Sequence, residues 1–149
     1  MNRWNPEATG HFLEHYETLR GVVRLELMDR QLSEHLGEPP ARICDVGGGA
    51  GHNSIPLARR GYEVEILDPF EEMLQKARQT LDAEEEAVRG SVELVGGNGE
   101  DAPRIFGSET FDAVLCHLVS RGQVQEGETV VVPGVGGGGG RTSVHWGFF

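Results

Sequence analysis

From about Thr9 to Leu36, apolar residues recur at three- and four-residue steps, the period of an amphipathic helix. Phe12, Tyr16, Leu19 and Val23 fall on one face, and Leu25, Met28, Leu32 and Leu36 carry the pattern on. Gly21 is the expected break between two shorter helices; Gly37, Pro39 and Pro40 stop the pattern. The rhythm then changes. Residues 41–46 are a short apolar run bounded by prolines and glycines, which suits a buried strand. Residues 53–60 predict a short helix with Pro56 in its first turn, where the missing N–H costs little, and Gly61 ends it. Residues 62–67 read as a second strand. Residues 70–83 read as a helix with Phe70, Met73, Leu74, Ala77 and Leu81 on its apolar face. Residues 91–95 and 111–117 read as third and fourth strands, the last centred on Ala113-Val114-Leu115-Cys116.

Strands separated by helices imply a parallel sheet with right-handed crossovers, so the expected class is α/β: a doubly wound, mainly parallel sheet behind one N-terminal helix or a helix pair. The chain divides into a helical segment, 1–38, a sheet core, 39–120, and a tail, 121–149. The tail has no helical period. Glycine dominates its middle, with five in a row from Gly136 to Gly140, and only residues 129–132 fit a strand. Much of it is expected to be irregular, because glycine gives up the most backbone entropy on ordering.

A length of 149 residues suits one domain with one core. The formal net charge of −11 argues against a broad basic face for nucleic-acid phosphates and against docking on an anionic membrane, though not against a structured RNA held by a local patch. Cys44 and Cys116 lie inside apolar runs, as small buried hydrophobes of a reducing compartment. The first residues, MNRWNPEATGHFLEHYE, are acidic and lack the apolar core of a secretion signal, and no run approaches the roughly 18 apolar residues of a membrane span, so the expected location is cytoplasmic.

The chemistry concentrates in 42–74, and first in Asp45-Val46-Gly47-Gly48-Gly49-Ala50-Gly51, between a strand and a helix. Glycines there allow a sharp turn at the carboxyl end of the strand and let a ligand approach the main chain. The dinucleotide fingerprint G-x-G-x-x-G requires a third glycine where this chain has His52, so it fails. An acid two residues before the first glycine repels a pyrophosphate and attracts an ammonium group. S-adenosylmethionine carries an ammonium and a sulfonium and no phosphate, so the charge pattern favours it over NAD. Asp68, 17 residues after Gly51, suits the two hydroxyls of an adenosyl ribose; the N-cap of the following helix is the lesser reading, and the two roles are compatible. Pro69 and Phe70 are placed to pack on an adenine face. Asn98, Gly99, Glu100 and Asp101 are candidates for the adenine edge, with a plain polar turn as the other reading. Cys116 and His117 end the fourth strand, across the point where strand order reverses; His117 is a candidate general base or substrate contact, or a strand-end histidine bonded to backbone.

These words, ICDVGGGAGHNSIPLARRGYEVEILDPFEEMLQKAR, then VELVGGNGEDAP, then FDAVLCHLV, resemble the class I S-adenosylmethionine-dependent methyltransferases over roughly residues 40–119. The leading LRGVVRLELMDRQLSEHL resembles members near the bacterial tRNA carboxymethoxyuridine methyltransferase group. The resemblance implies a Rossmann-like fold. It puts Gly47, Gly48, Gly49 and Gly51 along the methionine end of the cofactor, Asp45 behind its ammonium group and Asp68 on the ribose. Asn98, Gly99, Glu100 and Asp101 would surround the adenine, and Cys116 and His117 would border the methyl group. Family members often have Asp where this chain has Asn98, which weakens adenine recognition at that position.

The resemblance also implies a helix, a fifth strand and a C-terminal hairpin after the fourth strand, and the sequence from Arg121 onward does not carry their pattern. The C-terminal half is therefore expected to be incomplete. The fourth strand would then lie near an edge and invite association of copies, unless 129–132 pairs beside it. Methyl transfer to a small-molecule or tRNA acceptor is the leading expectation; no residue names the acceptor. A non-catalytic or truncated cofactor-binding module needing a partner chain is the second, and an NAD(P)-binding oxidoreductase the third. No metal is expected: His11 and His15 are four apart, but Glu14 does not complete an H-E-x-x-H pattern.

Overall fold

The computed structural model describes residues 10, 13–14, 16–107, 111–117, 129–133 and 144–145, the backbone alone at 117, 129–133 and 144–145. The elements are α1 (Leu19–His35), β1 (Arg42–Val46), α2 (Ser54–Arg59), β2 (Glu63–Asp68), α3 (Glu71–Asp82), α4 (Glu86–Gly90) and β3 (Val92–Gly96). A 3-10 turn (Gly99–Asp101), α5 (Ala102–Phe106), β4 (Ala113–His117), β5 (Thr129–Pro133) and β6 (Val144–His145) follow. The strands form one sheet in the order β3-β2-β1-β4-β5-β6. β1 pairs in parallel with both β2 and β4, and β2 with β3. The sequence expectation of a doubly wound parallel sheet is met in these four strands, and the order reverses between β1 and β4.

β5 runs antiparallel beside β4, with Leu115 opposite Val131, and β6 pairs antiparallel with β5. The 129–132 run thus pairs beside β4, the arrangement named in the sequence reading as the one that takes this strand off the edge.

Period-two alternation divides the sheet residues between its faces. Ile43, Val64, Ile66, Ala113 and Leu115 join Met28, Leu32 and Leu36 of the leading helix and linker, Leu57 of α2, Tyr62 and Leu74 of α3 in one buried cluster. The leading helix and the sheet therefore share a core. α3 buries Met73, Leu74, Ala77 and Leu81, the stripe expected from its spacing. On the opposite face, Ile105 of α5 and Leu67 close over Gly97, where a Cβ would stand 2.7 Å from Ile105 Cδ1. Arg42 pairs there with Glu65 and lies over the Phe111 ring, 5.1 Å from its centroid. α4, the 3-10 turn and α5 are too short to show a period and were not anticipated.

The N-terminal helix departs from expectation in two ways. The break falls at Thr18, not at Gly21: Thr18 is extended (φ −72°, ψ 154°) and its Oγ1 accepts a hydrogen bond from Gly21 N at 3.1 Å, so it caps α1. Gly21 is buried inside the helix. The face also changes: Leu19 and Val23, read as part of one apolar face, are exposed, Leu19 to 81%, because α1 turns Gly21, Met28 and Leu32 inward. Phe12 lies outside the described residues, as do His11 and His15.

Candidate functional site

β1 and β2 end side by side, and each ends near a buried acid. Asp45 is wholly inaccessible and Asp68 is 4% exposed. Both lie at the carboxyl ends of adjacent parallel strands, where open α/β sheets bind ligands. The loop between β1 and α2 runs over them. Gly47, Gly49 and Gly51 have φ of 75°, 56° and 79°, in the left-handed region that side-chain-bearing residues resist. Gly48 has a different requirement: a Cβ there would stand 2.7 Å from both Cγ and Oδ2 of Asp45. The run of glycines is thus explained by chain reversal at three positions and by the close approach of a carboxylate at the fourth.

The two acids act as tethers. Ser54, the first residue of α2 and itself buried, donates its hydroxyl to Asp45 Oδ2, which fixes the helix to the end of β1. Asp68 accepts Gly49 N on Oδ2 and Phe70 N on Oδ1, each at 2.9 Å. The carboxylate of β2 therefore holds the glycine loop in place and orders the turn into α3. Asp68 is not the N-cap itself; Phe70 occupies that position, and Asp68 reaches its amide from two residues upstream. The capping reading is corrected in position. Each carboxylate oxygen of Asp68 keeps further acceptor capacity beyond its backbone amide. Pro69 is exposed and Phe70 half-buried at the mouth of this turn.

After β3, Asn98 and Asp101 form a capping box around the 3-10 turn: Asp101 Oδ2 accepts Asn98 N at 3.2 Å. Asp101 also pairs with Arg104, and this bond first, with Asn98 N second, holds its carboxyl below the usual range. Asn98, Gly99 and Glu100 are exposed. The polar-turn reading of this stretch is thus realised. The turn lies against the end of β1: a Cβ on Gly99 would stand 2.9 Å from Val46 Cγ1. β4 brings Cys116 directly beside Val46. Burial, with the Asp45 charge second, raises the Cys116 thiol, and burial first pushes the Cys44 thiol up to about 12. His117 ends the same strand with its backbone opposite Thr129; its side chain lies outside the described residues.

Three contributors escaped the sequence reading. His52, noted only for breaking the dinucleotide fingerprint, stacks on Tyr16, with ring centroids 4.0 Å apart and planes at 12°. Burial lowers the His52 pKa. Burial also raises that of Tyr16, which Arg24 partly offsets and Asp45 reinforces. The Tyr16 ring therefore lies over the glycine loop within electrostatic reach of Asp45. An aromatic residue just ahead of the Thr18 cap was the one available signal. Ser54 offered none, since its role depends on an acid nine positions earlier. Among the described residues no cluster of His, Cys, Asp and Glu is arranged to hold a metal ion, and no helix is long and apolar enough to cross a membrane.

A glycine loop bound to buried acids at the switch point of a doubly wound sheet defines a nucleotide-cofactor domain of the Rossmann-like class. The family described as methyltransferase domain matches residues 43–131, and the chain belongs to that family. It is 30% identical over 108 residues to the tRNA 5-carboxymethoxyuridine methyltransferase of Escherichia coli K12, covering 70% of this chain and 40% of that protein. It is 35% identical over 100 residues to the ribosomal RNA small subunit methyltransferase G of Lactobacillus delbrueckii subsp. bulgaricus, covering 65% and 41%. The chain spans about 40% of the length of these curated relatives. A solved structure from Methanococcus maripaludis, assigned to the S-adenosyl-L-methionine-dependent methyltransferases, superposes with a TM-score of 0.53 at 18% identity, over 66% of this chain and 46% of that one, and bears on the fold alone.

Proposed function

We propose that this chain binds S-adenosylmethionine and serves methyl transfer to a small-molecule or tRNA acceptor. The observation that carries the reading is the pair of buried carboxylates, Asp45 and Asp68, joined through the glycine loop at the ends of β1 and β2. A pyrophosphate laid across this loop would face two anions in a poorly solvated place. A cationic, phosphate-free nucleotide suits the same carboxylate acceptors. Family membership and the names of the relatives point the same way. Gly47, Gly48, Gly49 and Gly51 would hold the methionine end over Asp45, Asp68 the ribose, Phe70 and the Asn98–Asp101 turn the adenine, and Cys116 and His117 would border the reacting end. The cofactor when bound supplies an activated methyl group on a good leaving group, so the protein's task is alignment and exclusion of water.

Calorimetry with S-adenosylmethionine, S-adenosylhomocysteine and NAD tests the cofactor. Binding of the first two without NAD is expected; binding of NAD alone would overturn the reading. Incubation with methyl-labelled cofactor and bulk tRNA, with separate recovery of small molecules, tests the acceptor. Label in either fraction supports transfer, and cofactor binding with label in neither fraction would leave a binding module.

A further inference from the structure

Ser33, Thr80 and Ser91 each donate their hydroxyl to the carbonyl four residues back, at the surface, as helical hydroxyls commonly do. Ser54 does otherwise. It is wholly buried at the start of α2 and donates to Oδ2 of Asp45, nine residues earlier on β1. The acceptor is wholly buried too. A carboxylate taken out of water needs hydrogen bonds or a counter-charge. The torsion that turns its plane is broad and roughly two-fold, so it has no sharp preference of its own. Ser54 fixes one oxygen, and with it the plane. The loop main chain lies against the same oxygen, since a Cβ on Gly48 would stand 2.7 Å from Oδ2. The carboxylate is thus oriented from α2 and set against the glycine loop. Its field extends further: burial first, and the Asp45 charge second, raise the Cys116 thiol at the end of β4.

We propose that Ser54 is a positioning residue for cofactor recognition: it orients the Asp45 carboxylate, and through it sets the preference of the site for a ligand that carries an α-ammonium group. The inference rests on the reading of the loop as an S-adenosylmethionine site. Ser54 touches no ligand in this scheme and acts through Asp45 alone. Attraction between a carboxylate and an ammonium group in a poorly solvated place is weakly screened and falls with distance, so the direction in which the carboxylate is held decides how much of it a ligand receives. A tether that only pinned α2 to β1 would act on every ligand of the loop alike, because a displaced loop disturbs the adenosine and the amino-acid end together. An orienting role acts on the ammonium group.

The test is calorimetric titration at about pH 7, where the amino group is charged, with S-adenosylhomocysteine and with its desamino analogue, in which hydrogen replaces the α-amino group. The wild type is expected to bind S-adenosylhomocysteine roughly tenfold tighter than the analogue, or more. Ser54→Ala is expected to shrink that ratio by at least about threefold, with the loss falling mainly on S-adenosylhomocysteine. Ser54→Cys keeps the shape and offers only a weak donor, so the ratio should shrink in the same direction; it replaces the Ala variant if circular dichroism shows that one unfolded. Ser54→Thr keeps the hydroxyl and is expected to keep the wild-type ratio. An unchanged ratio in the folded Ala or Cys variant, whether or not both affinities fall, would make Ser54 a tether only and overturn the proposal. A wild type that binds the two ligands alike would overturn it as well, and in both cases the cofactor site stands. If the wild type itself binds neither S-adenosylmethionine nor its product, the cofactor reading falls and this inference with it.

Discussion

Asp68 is the residue at which folding and ligand binding are most directly coupled. Its carboxylate accepts the amides of Gly49 and Phe70, one on each oxygen and both at 2.9 Å, in surroundings where Asp68 is 4% exposed. A hydrogen bond to a charged group contributes roughly 1.5–3 kcal/mol, and a buried amide left without its acceptor costs about as much. Asp68→Ala removes both acceptors, so the expected loss is about 3 kcal/mol or more, a large part of the stability of a domain this size. Asp68→Asn keeps one acceptor oxygen and turns an NH2 toward the other amide, so its loss should be nearer half that. Urea unfolding at pH 7, followed by circular dichroism, measures both. A second readout separates the roles. Where Asp68→Asn remains folded, its affinity for S-adenosylhomocysteine should fall at least tenfold, because a carboxylate accepts two ribose hydroxyls and an amide does not. An Ala variant within about 1 kcal/mol of wild type would show that the tether is not what holds the loop. Unchanged affinity in a folded Asn variant would remove Asp68 from the ribose site.

Two further outcomes follow from burial. Met28→Ala should destabilise the protein by roughly 2–5 kcal/mol through a cavity in the shared core, while Leu19→Gln should be near neutral; a large loss at Leu19 in urea unfolding would contradict the helix orientation. Cys44, with its thiol pushed up to about 12 by burial first and by Asp45, Glu65 and Cys116 after it, should resist alkylation by iodoacetamide at pH 8 in the native protein and react readily in urea. Comparable labelling in both states, read by mass spectrometry, would show that the end of β1 is open.

The glycine loop, the two acids and the order of the first four strands were legible in the chain itself. These features are local: a run of apolar residues, a glycine cluster at its end, and an acid at a fixed distance need no partner to be recognised. The helical pattern before β1 was legible in kind and misread in orientation, since apolar residues at 19, 22, 23 and 27 make a second stripe as regular as the buried one. Helical spacing cannot say which of two apolar stripes faces the sheet; that is decided by which one meets Ile43 and Leu115, and those lie many residues away. The same holds for the site. That Gly48 must lack a side chain because of Asp45, that Asp68 holds Gly49, and that Tyr16 stacks on His52 are contacts across 3, 19 and 36 positions of chain. The sequence by itself determined that a nucleotide site with acidic ends lies at the carboxyl edge of a parallel sheet. Only the tertiary structure decided what holds the glycine loop in place, because hydrogen-bond and ring contacts depend on distances that the fold alone sets.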